Sequence, residues 1–158
     1  MLCHEIGHWA HWHSIVNLFI SSAHIFALFW SYGTLIATYG TQVTRDFGFN
    51  TTAQVPFIVG LFLFQQLYVP VDEVISLAVT FLSRRNEFQA DAYAVKAGRA
   101  KELAAALQKI QAENLGEMDP DWLYSAVKFS HPPMVERLKA IEMRQAEKDY
   151  VLVDKKKK

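Results

Sequence analysis

The chain has 158 residues, a net charge of zero and a hydrophobic content of 51%. This length suits a single domain, and the zero net charge gives no support to nucleic-acid binding. The single cysteine, Cys3, excludes an intramolecular disulfide. The hydrophobic residues are concentrated in two stretches, which an ordinary soluble domain does not need. The composition therefore makes a membrane protein the first hypothesis.

The first segment, MLCHEIGHWAHWH, contains the pattern His4-Glu5-x-x-His8. On a helix the two histidines lie one turn apart and can bind one Zn²⁺, while Glu5, about 100° round the helix, can act as a general base. The alternative is a helix whose histidines are polar surface or core residues. We predict a zinc-binding helix from residue 1 to about residue 14 that runs into the next segment.

A catalytic zinc needs a third protein ligand beside these two histidines. The metzincin pattern requires a histidine six residues after the second one, where this chain has Ser14. His11 lies too close along the same helix and would crowd the metal. We therefore interpret His11 and His13 as solvated or chamber-lining residues, and expect the third ligand elsewhere.

Two apolar stretches follow. Residues 15–40 contain no charged residue and exceed the roughly 20 residues that a helix needs to cross a bilayer. Residues 53–82 are also apolar, apart from Asp72 and Glu73, which we expect to face protein or water. We predict two membrane spans. The alternatives are two buried helices of a soluble core and an ion transporter that uses these two acids.

The positions of the basic residues predict the orientation of these spans. The link at 41–54 contains one basic residue, Arg45, whereas Arg84 and Arg85 directly follow the second span. The positive-inside rule then places the C-terminal part on the cytosolic side. Because two crossings return the chain to the side it left, the histidine segment and the segment from residue 83 onward should share one side of the membrane.

The C-terminal part has the sequence pattern of three helices. NEFQADAYAVKAG predicts a helix closed by Gly98, and a second helix should end at Gly116. Pro132 and Pro133 suit the first turn of the third. The run DKKKK predicts a disordered end. We therefore divide the chain into 1–82, with the zinc helix and two spans, 83–150, a soluble helical part, and 151–158, a basic tail.

The first of these helices offers a third metal ligand. Glu87 and Asp91 are four residues apart and present two carboxylates on one helical face. Glu87 can bind zinc, and Asp91 can accept the second ring N–H of a ligand histidine, which fixes the tautomer of that ring. The alternative is an ordinary solvated acidic face.

A further pair of candidates surrounds the start of the third helix. His131 precedes the two prolines and Arg137 follows six residues later, so both can converge on a developing oxyanion. Alternatively, His131 caps the helix and Arg137 pairs with a surface acid.

Three stretches, HEIGHW, NEFQADAYA and LYSAVKFSHPPMVERLKAI, together resemble the integral-membrane zinc CAAX prenyl proteases. The resemblance implies an all-α fold, in which the two spans belong to a barrel of seven membrane helices around a water-filled chamber and the soluble part is gluzincin-like. It implies one Zn²⁺ per chain. It also implies that the substrate is a prenylated CAAX protein, from which the enzyme removes the C-terminal tripeptide. The implied metal ligands are His4, His8 and Glu87, and the implied general base is Glu5. Asp91 would contact a ligand rather than the metal, and His131 and Arg137 would lie near the substrate carbonyl.

The resemblance also bears on the extent and location of the chain. Only Met1, Leu2 and Cys3 precede His4, so the chain resembles the C-terminal part of such an enzyme, with the N-terminal membrane helices missing. It implies contact with membrane lipid and a zinc site that faces the cytosol or nucleoplasm. Lys155 and Lys156 resemble a dilysine retrieval signal, which would place the protein in the endoplasmic reticulum membrane.

Two rival functions remain open at this point. The first is a membrane quality-control zinc protease without prenyl specificity, which has similar HExxH and HPP…ER segments. The second is a non-catalytic zinc-binding membrane fragment, for which a closed four-ligand site is expected.

Overall fold

The computed structural model describes residues 1–49, 56–114 and 120–157, with side chains up to Tyr150. The described residues form helices and no strand, as the predicted all-α class requires. The helices are α1 (Leu2–Ala10), α2 (His13–Asp46), α3 (Phe57–Lys96), α4 (Ala100–Asn114), α5 (Trp122–Lys128) and α6 (Met134–Lys157).

The helix of the histidine segment is shorter than predicted. The prediction of one continuous helix from residue 1 to about residue 14 is wrong, because α1 ends at Ala10 and α2 begins at His13. Between them Trp12 adopts a left-handed backbone conformation with φ of 58°, which a right-handed helix cannot contain. The helix is therefore interrupted before the first apolar segment begins.

Helices α2 and α3 are each long and apolar enough to cross a membrane. Helix α2 extends the span predicted at 15–40 through to Asp46. Helix α3 starts at Phe57, so the start predicted at residue 53 lies outside the described residues, as does part of the link at 41–54.

Helix α3 also passes through the predicted boundary at residue 83. The apolar segment and NEFQADAYAVK form one helix that ends at Lys96 and contains Pro70 in its interior. Its end is the predicted one: Gly98 has φ of 78°, its N–H bonds to the Val95 carbonyl, and the Arg99 N–H bonds to the Ala94 carbonyl. The predicted Gly98 helix stop is thus confirmed.

By contacts the chain forms two compact units. One contains Ile15–Ser76, where α2 and the first part of α3 run antiparallel. The Tyr32 hydroxyl donates to the Phe57 carbonyl at 3.0 Å, and Phe64 lies between the rings of Tyr32 and Tyr68. Most of the apolar side chains of α2 are exposed, which is typical of a surface that contacts lipid.

The other unit contains Met1–Ser14 and Leu77–Lys158. Its core lies between the end of α3, α4 and α6, and Cys3 of α1 packs against it. The buried core residues are Ala94, Val95, Ala100, Leu103, Leu107 and Ile141. Burial of this apolar surface holds three helices together around the C-terminal end of α3.

A short helix and a half-buried arginine, Arg84, complete this unit. The Asp121 carboxylate caps α5 by accepting the backbone N–H groups of Leu123 and Tyr124. Arg84 of α3 donates to the Ser125 carbonyl at 3.1 Å and to Glu136 of α6 at 2.8 Å. This guanidinium therefore connects α3 to both α5 and α6. These two helices precede and follow the loop that contains His131.

The ends of the C-terminal helices differ partly from expectation. Pro132 and Pro133 directly precede α6 rather than occupying its first turn, and the Arg137 N–H bonds to the Pro133 carbonyl. Helix α6 continues to Lys157, so the disorder predicted for DKKKK is wrong for residues 154–157. The stop predicted at Gly116 lies outside the described residues.

Helix α1 packs on α3 through a glycine. A Cβ atom added at Gly7 would lie 2.9 Å from the Ala90 Cα and 3.1 Å from the Tyr93 Cβ, closer than side chains approach. These atoms are backbone or directly attached to it, so they cannot rotate away. Gly7 therefore sets the distance between the two helices.

We predict that Gly7→Ala destabilises the protein by about 1 to 3 kcal/mol, because the added methyl group overpacks the contact of α1 with α3. Thermal unfolding in detergent, followed by circular dichroism, measures the loss. Gly33→Ala is the matched control, since an added Cβ at this position in α2 meets nothing within 4 Å. Equal melting temperatures for the two variants would contradict the close contact.

Candidate metal centre

Two imidazole nitrogens and a carboxylate converge at the contact of α1 with α3. The Nε2 atoms of His4 and His8 are 3.2 Å apart. Glu87 of α3 places Oε2 3.5 Å from the His4 nitrogen and Oε1 3.5 Å from the His8 nitrogen. Of the described residues, these three form a group that could hold a metal ion.

The spacing of these atoms fits a tetrahedral metal. Histidine and carboxylate ligands lie about 2.0 to 2.1 Å from zinc, so two of them at a tetrahedral angle are about 3.3 to 3.4 Å apart. The two nitrogens are 3.2 Å apart, close to this value, and each lies 3.5 Å from the nearer oxygen of Glu87, which is Oε2 for His4 and Oε1 for His8. The residues therefore fit a zinc ion with a fourth, non-protein position.

Asp91 orients the ring of His4. Its Oδ1 lies 2.9 Å from Nδ1 of His4, and Asp91 is fully buried. The angle falls outside that of an ideal hydrogen bond. The short distance between these buried atoms still shows which nitrogen of His4 is protonated, because the lone pair of an unprotonated Nδ1 would repel the carboxylate. Nδ1 therefore carries the proton, and in the neutral ring Nε2 presents its lone pair to the metal position.

Arg137 of α6 joins both carboxylates. Its Nε and Nη2 donate to the two oxygens of Asp91 at 2.8 Å, and its Nη1 lies 2.9 Å from Glu87 Oε2. Burial by itself lowers the pKa of the guanidinium. The hydrogen bonds that Arg137 donates to Asp91 and the charges of both carboxylates outweigh that effect, so the pKa of Arg137 is raised above its ordinary value.

These contacts change the interpretation of Arg137. The sequence predicts that it stabilises an oxyanion, but three of its nitrogens are already engaged with carboxylates and the residue is buried. To reach a substrate, the guanidinium would have to leave two buried acids without a counter-charge, which is costly. The geometry favours a role in positioning Glu87 and Asp91.

The two remaining predicted residues, His131 and Glu5, are exposed. His131 is 67% exposed, and its Nδ1 is 3.1 Å from Glu87 Oε1. Glu5 is exposed on α1, on the same helix as the histidine pair. Both side chains are thus accessible to a substrate, whereas Glu87, Asp91 and Arg137 are buried.

His13 and Gln89 also contact this cluster, although the sequence patterns predicted neither of them as a site residue. His13 is buried, with Nδ1 3.1 Å from His8 Nδ1 and Nε2 3.0 Å from Gln89 Oε1. The expectation that His13 is solvated or chamber-lining is therefore wrong. His11 is exposed as expected, and its ring bonds to the Gly7 carbonyl at 2.8 Å.

The environment of His8 favours its neutral ring. Burial lowers the pKa of His8, the charges of Glu87 and Glu5 oppose this, and the neighbouring His4 and His13 lower it further. The result is a pKa below the ordinary value of histidine. Because a metal binds only the neutral imidazole, this shift favours metal binding.

Comparisons with known proteins identify the family of this chain. Residues 1–145 match the sequence profile of peptidase family M48. The chain is 44% identical over 142 residues to a CAAX prenyl protease 1 homolog of Arabidopsis thaliana, covering 90% of this chain and 32% of the relative. It is 43% identical over 143 residues to the homolog of Homo sapiens, covering 90% of this chain and 29% of the relative.

A solved structure is similar as well. The crystal structure of S. mikatae Ste24p matches with a TM-score of 0.75 and 33% identity, over 89% of this chain and 35% of that protein. The chain thus spans about a third of the length of the proteins it matches.

We predict that Asp91→Asn weakens zinc binding about 10- to 100-fold, because a neutral amide orients His4 less strongly and leaves Arg137 with one carboxylate partner fewer. Competition with a chromophoric chelator measures the affinity. Asp121→Asn is the matched control, since asparagine also caps a helix well. Zinc affinity equal to that of the unsubstituted protein would exclude this role of Asp91.

Proposed function

Because the chain belongs to peptidase family M48, we propose that it is the metal-binding part of a membrane zinc metalloendopeptidase. The whole protein would remove the C-terminal tripeptide of prenylated CAAX proteins. Its membrane helices beyond this chain would complete the enclosure around the site. The prediction of the family from three sequence motifs is confirmed by the match over residues 1–145.

A single observation carries the proposal. Two imidazole nitrogens 3.2 Å apart each lie 3.5 Å from an oxygen of one carboxylate, so three residues could bind one zinc ion and leave one position for water or substrate. Three protein ligands with an open position are typical of catalytic zinc, whereas a structural zinc has four protein ligands. The site therefore supports an enzyme more strongly than it supports the non-catalytic fragment.

The proposed chemistry is hydrolysis of a peptide bond. Zinc held by His4, His8 and Glu87 would supply Lewis acidity and activate water. Glu5, exposed beside the histidines on α1, would take the proton of the attacking water and deliver it to the leaving amine. A carboxylate in this position suits the task because it can accept and release the proton within one turnover.

We assign different roles to the two residues near α6. His131 is exposed and its Nδ1 lies 3.1 Å from Glu87 Oε1, so as an imidazolium, with both nitrogens protonated, it would donate from Nδ1 to Glu87 and from Nε2 to a carbonyl oxygen that becomes negative. Arg137 would instead hold Glu87 and Asp91 in place. Its fixed, planar set of donors matches two carboxylates, which a lysine ammonium cannot do.

The substrate and location are supported by the relatives and by the apolar helices. The similar curated proteins are named CAAX prenyl proteases. Helices α2 and α3 are long and apolar enough to cross a membrane, in which a prenylated substrate would also be anchored. We propose the endoplasmic reticulum membrane or the inner nuclear membrane as the location, with the zinc site facing the cytosol or nucleoplasm.

A chimaera tests the function. This chain would replace the matching third of CAAX prenyl protease 1 of Saccharomyces cerevisiae, to which it is 34% identical over 154 residues. The chimaera should cleave a farnesylated C-terminal peptide, lose the activity with a zinc chelator and regain it with added zinc. Equal cleavage of the unprenylated peptide would point to the quality-control protease. Bound zinc without cleavage of either peptide would point to the non-catalytic fragment.

We predict that Glu5→Gln lowers turnover in this chimaera by at least about 100-fold, because the amide cannot accept the proton of the attacking water. Zinc content should not change, since Glu5 is not a ligand. Activity and metal content are measured on the same preparation. Glu113→Gln is the control, as Glu113 is an exposed acid of α4 paired with Lys109. Normal turnover by Glu5→Gln would exclude the general-base role.

A further inference from the structure

The second metal-binding histidine has an orienting group of a different kind from the first. His4 is held directly by the Asp91 carboxylate, whereas Nδ1 of His8 faces another imidazole, that of His13, at 3.1 Å. The far nitrogen of His13 faces the side-chain oxygen of Gln89 at 3.0 Å. Gln89, His13 and His8 thus form a row of hydrogen bonds that begins on α3 and ends at the metal position.

The break between α1 and α2 makes this row possible. In an uninterrupted helix, residues five apart point about 140° away from each other, so the rings of His8 and His13 could not meet. The left-handed conformation of Trp12 turns the chain, and the first residue of α2 folds its ring back towards α1. Bulky residues rarely adopt this conformation, which indicates that the surrounding contacts enforce it.

The chemistry of the groups sets the direction of each hydrogen bond. The Gln89 oxygen can only accept, so Nε2 of His13 carries the proton. In a neutral ring, Nδ1 of His13 is then an acceptor and Nδ1 of His8 must donate to it. A neutral His8 protonated at Nδ1 has its lone pair on Nε2, the atom that faces His4 Nε2 and Glu87.

The opposite direction would block the site. If Gln89 presented its amide NH₂ group to His13, each proton along the row would move to the other nitrogen, and His8 would carry its proton on Nε2. That proton would occupy the metal position. The orientation of one amide therefore determines which nitrogen of His8 is free to bind.

We propose that Gln89 and His13 form a relay that fixes His8 in the tautomer with Nδ1 protonated, and that they are positioning residues for the metal ligand. The inference rests on the proposed metal site and extends it to two residues that do not touch the metal. The relay is electrically neutral, in contrast to the charged Asp91 behind His4. It therefore orients the second histidine without adding another carboxylate to the Glu87 and Asp91 pair.

Substitutions of Gln89 test the relay. Gln89→Glu keeps an acceptor and should leave the zinc dissociation constant within about threefold, whereas Gln89→Leu removes the acceptor and should raise it about 10- to 100-fold. Chelator competition on the full chain in detergent gives both values. His11→Gln is the control, because His11 stacks on His13 but bonds to the Gly7 carbonyl and lies outside the relay.

Nitrogen NMR of the metal-free chain with ¹⁵N-labelled histidine gives a readout independent of both zinc and activity. In the unsubstituted protein, His8 should show a protonated Nδ1 and an unprotonated Nε2, and Gln89→Leu should produce a mixture of the two tautomers. Circular dichroism shows whether that variant folds. If it does not fold, His13→Phe, which keeps an aromatic side chain but has no ring nitrogen, replaces it in both measurements.

The outcomes separate the relay from the proposed function. Unchanged zinc affinity and an unchanged His8 tautomer in folded Gln89→Leu would overturn the relay and leave the metal site intact. Equal weakening by Gln89→Leu and Gln89→Glu would also overturn it, because the effect would not depend on an acceptor. Failure of the unsubstituted chain to bind zinc would instead contradict the proposed function.

Discussion

The close contact of α1 with α3 is the constraint on which the candidate site depends. Two helices can bring short side chains to one point only if their backbones approach closely, and Gly7 against Ala90 permits that approach. His4 and His8 lie on either side of Gly7 on α1, and Glu87 lies one turn before Ala90 on α3. A larger residue at the contact would separate the imidazoles from the carboxylate, so packing and chemistry are set by the same pair of residues.

Around this contact, each group that faces the metal position has a partner behind it. Asp91 holds His4, Arg137 holds Glu87 and Asp91, and the proposed relay holds His8. These partners come from α3, α6 and the start of α2, so the geometry is determined by the packing of the whole unit. Burial strengthens such contacts, because a low dielectric increases the interaction between fixed charges and dipoles. A site supported in this way loses little freedom when a metal binds.

The sequence patterns predicted what depends on local spacing. The histidine pair one turn apart, the two carboxylates four residues apart and the end of a helix at Gly98 each follow from the geometry of a single helix. Length and apolar composition were sufficient to predict α2 and α3 as candidate membrane spans. Helix boundaries were less accurate, because one continuous helix joins the apolar part of α3 to the segment with Glu87, and no turn residue marks the transition.

By itself the sequence determined the residue types of a metal site and the helices that present them, since both follow from periodicity. Only the tertiary structure decided what Arg137 and His13 contact. Arg137 faces two buried carboxylates because α6 packs beside α3, and His13 meets His8 because the chain turns at Trp12. Neither contact has a local sequence signal: the first joins residues on separate helices, and the second joins residues that a continuous helix would point apart.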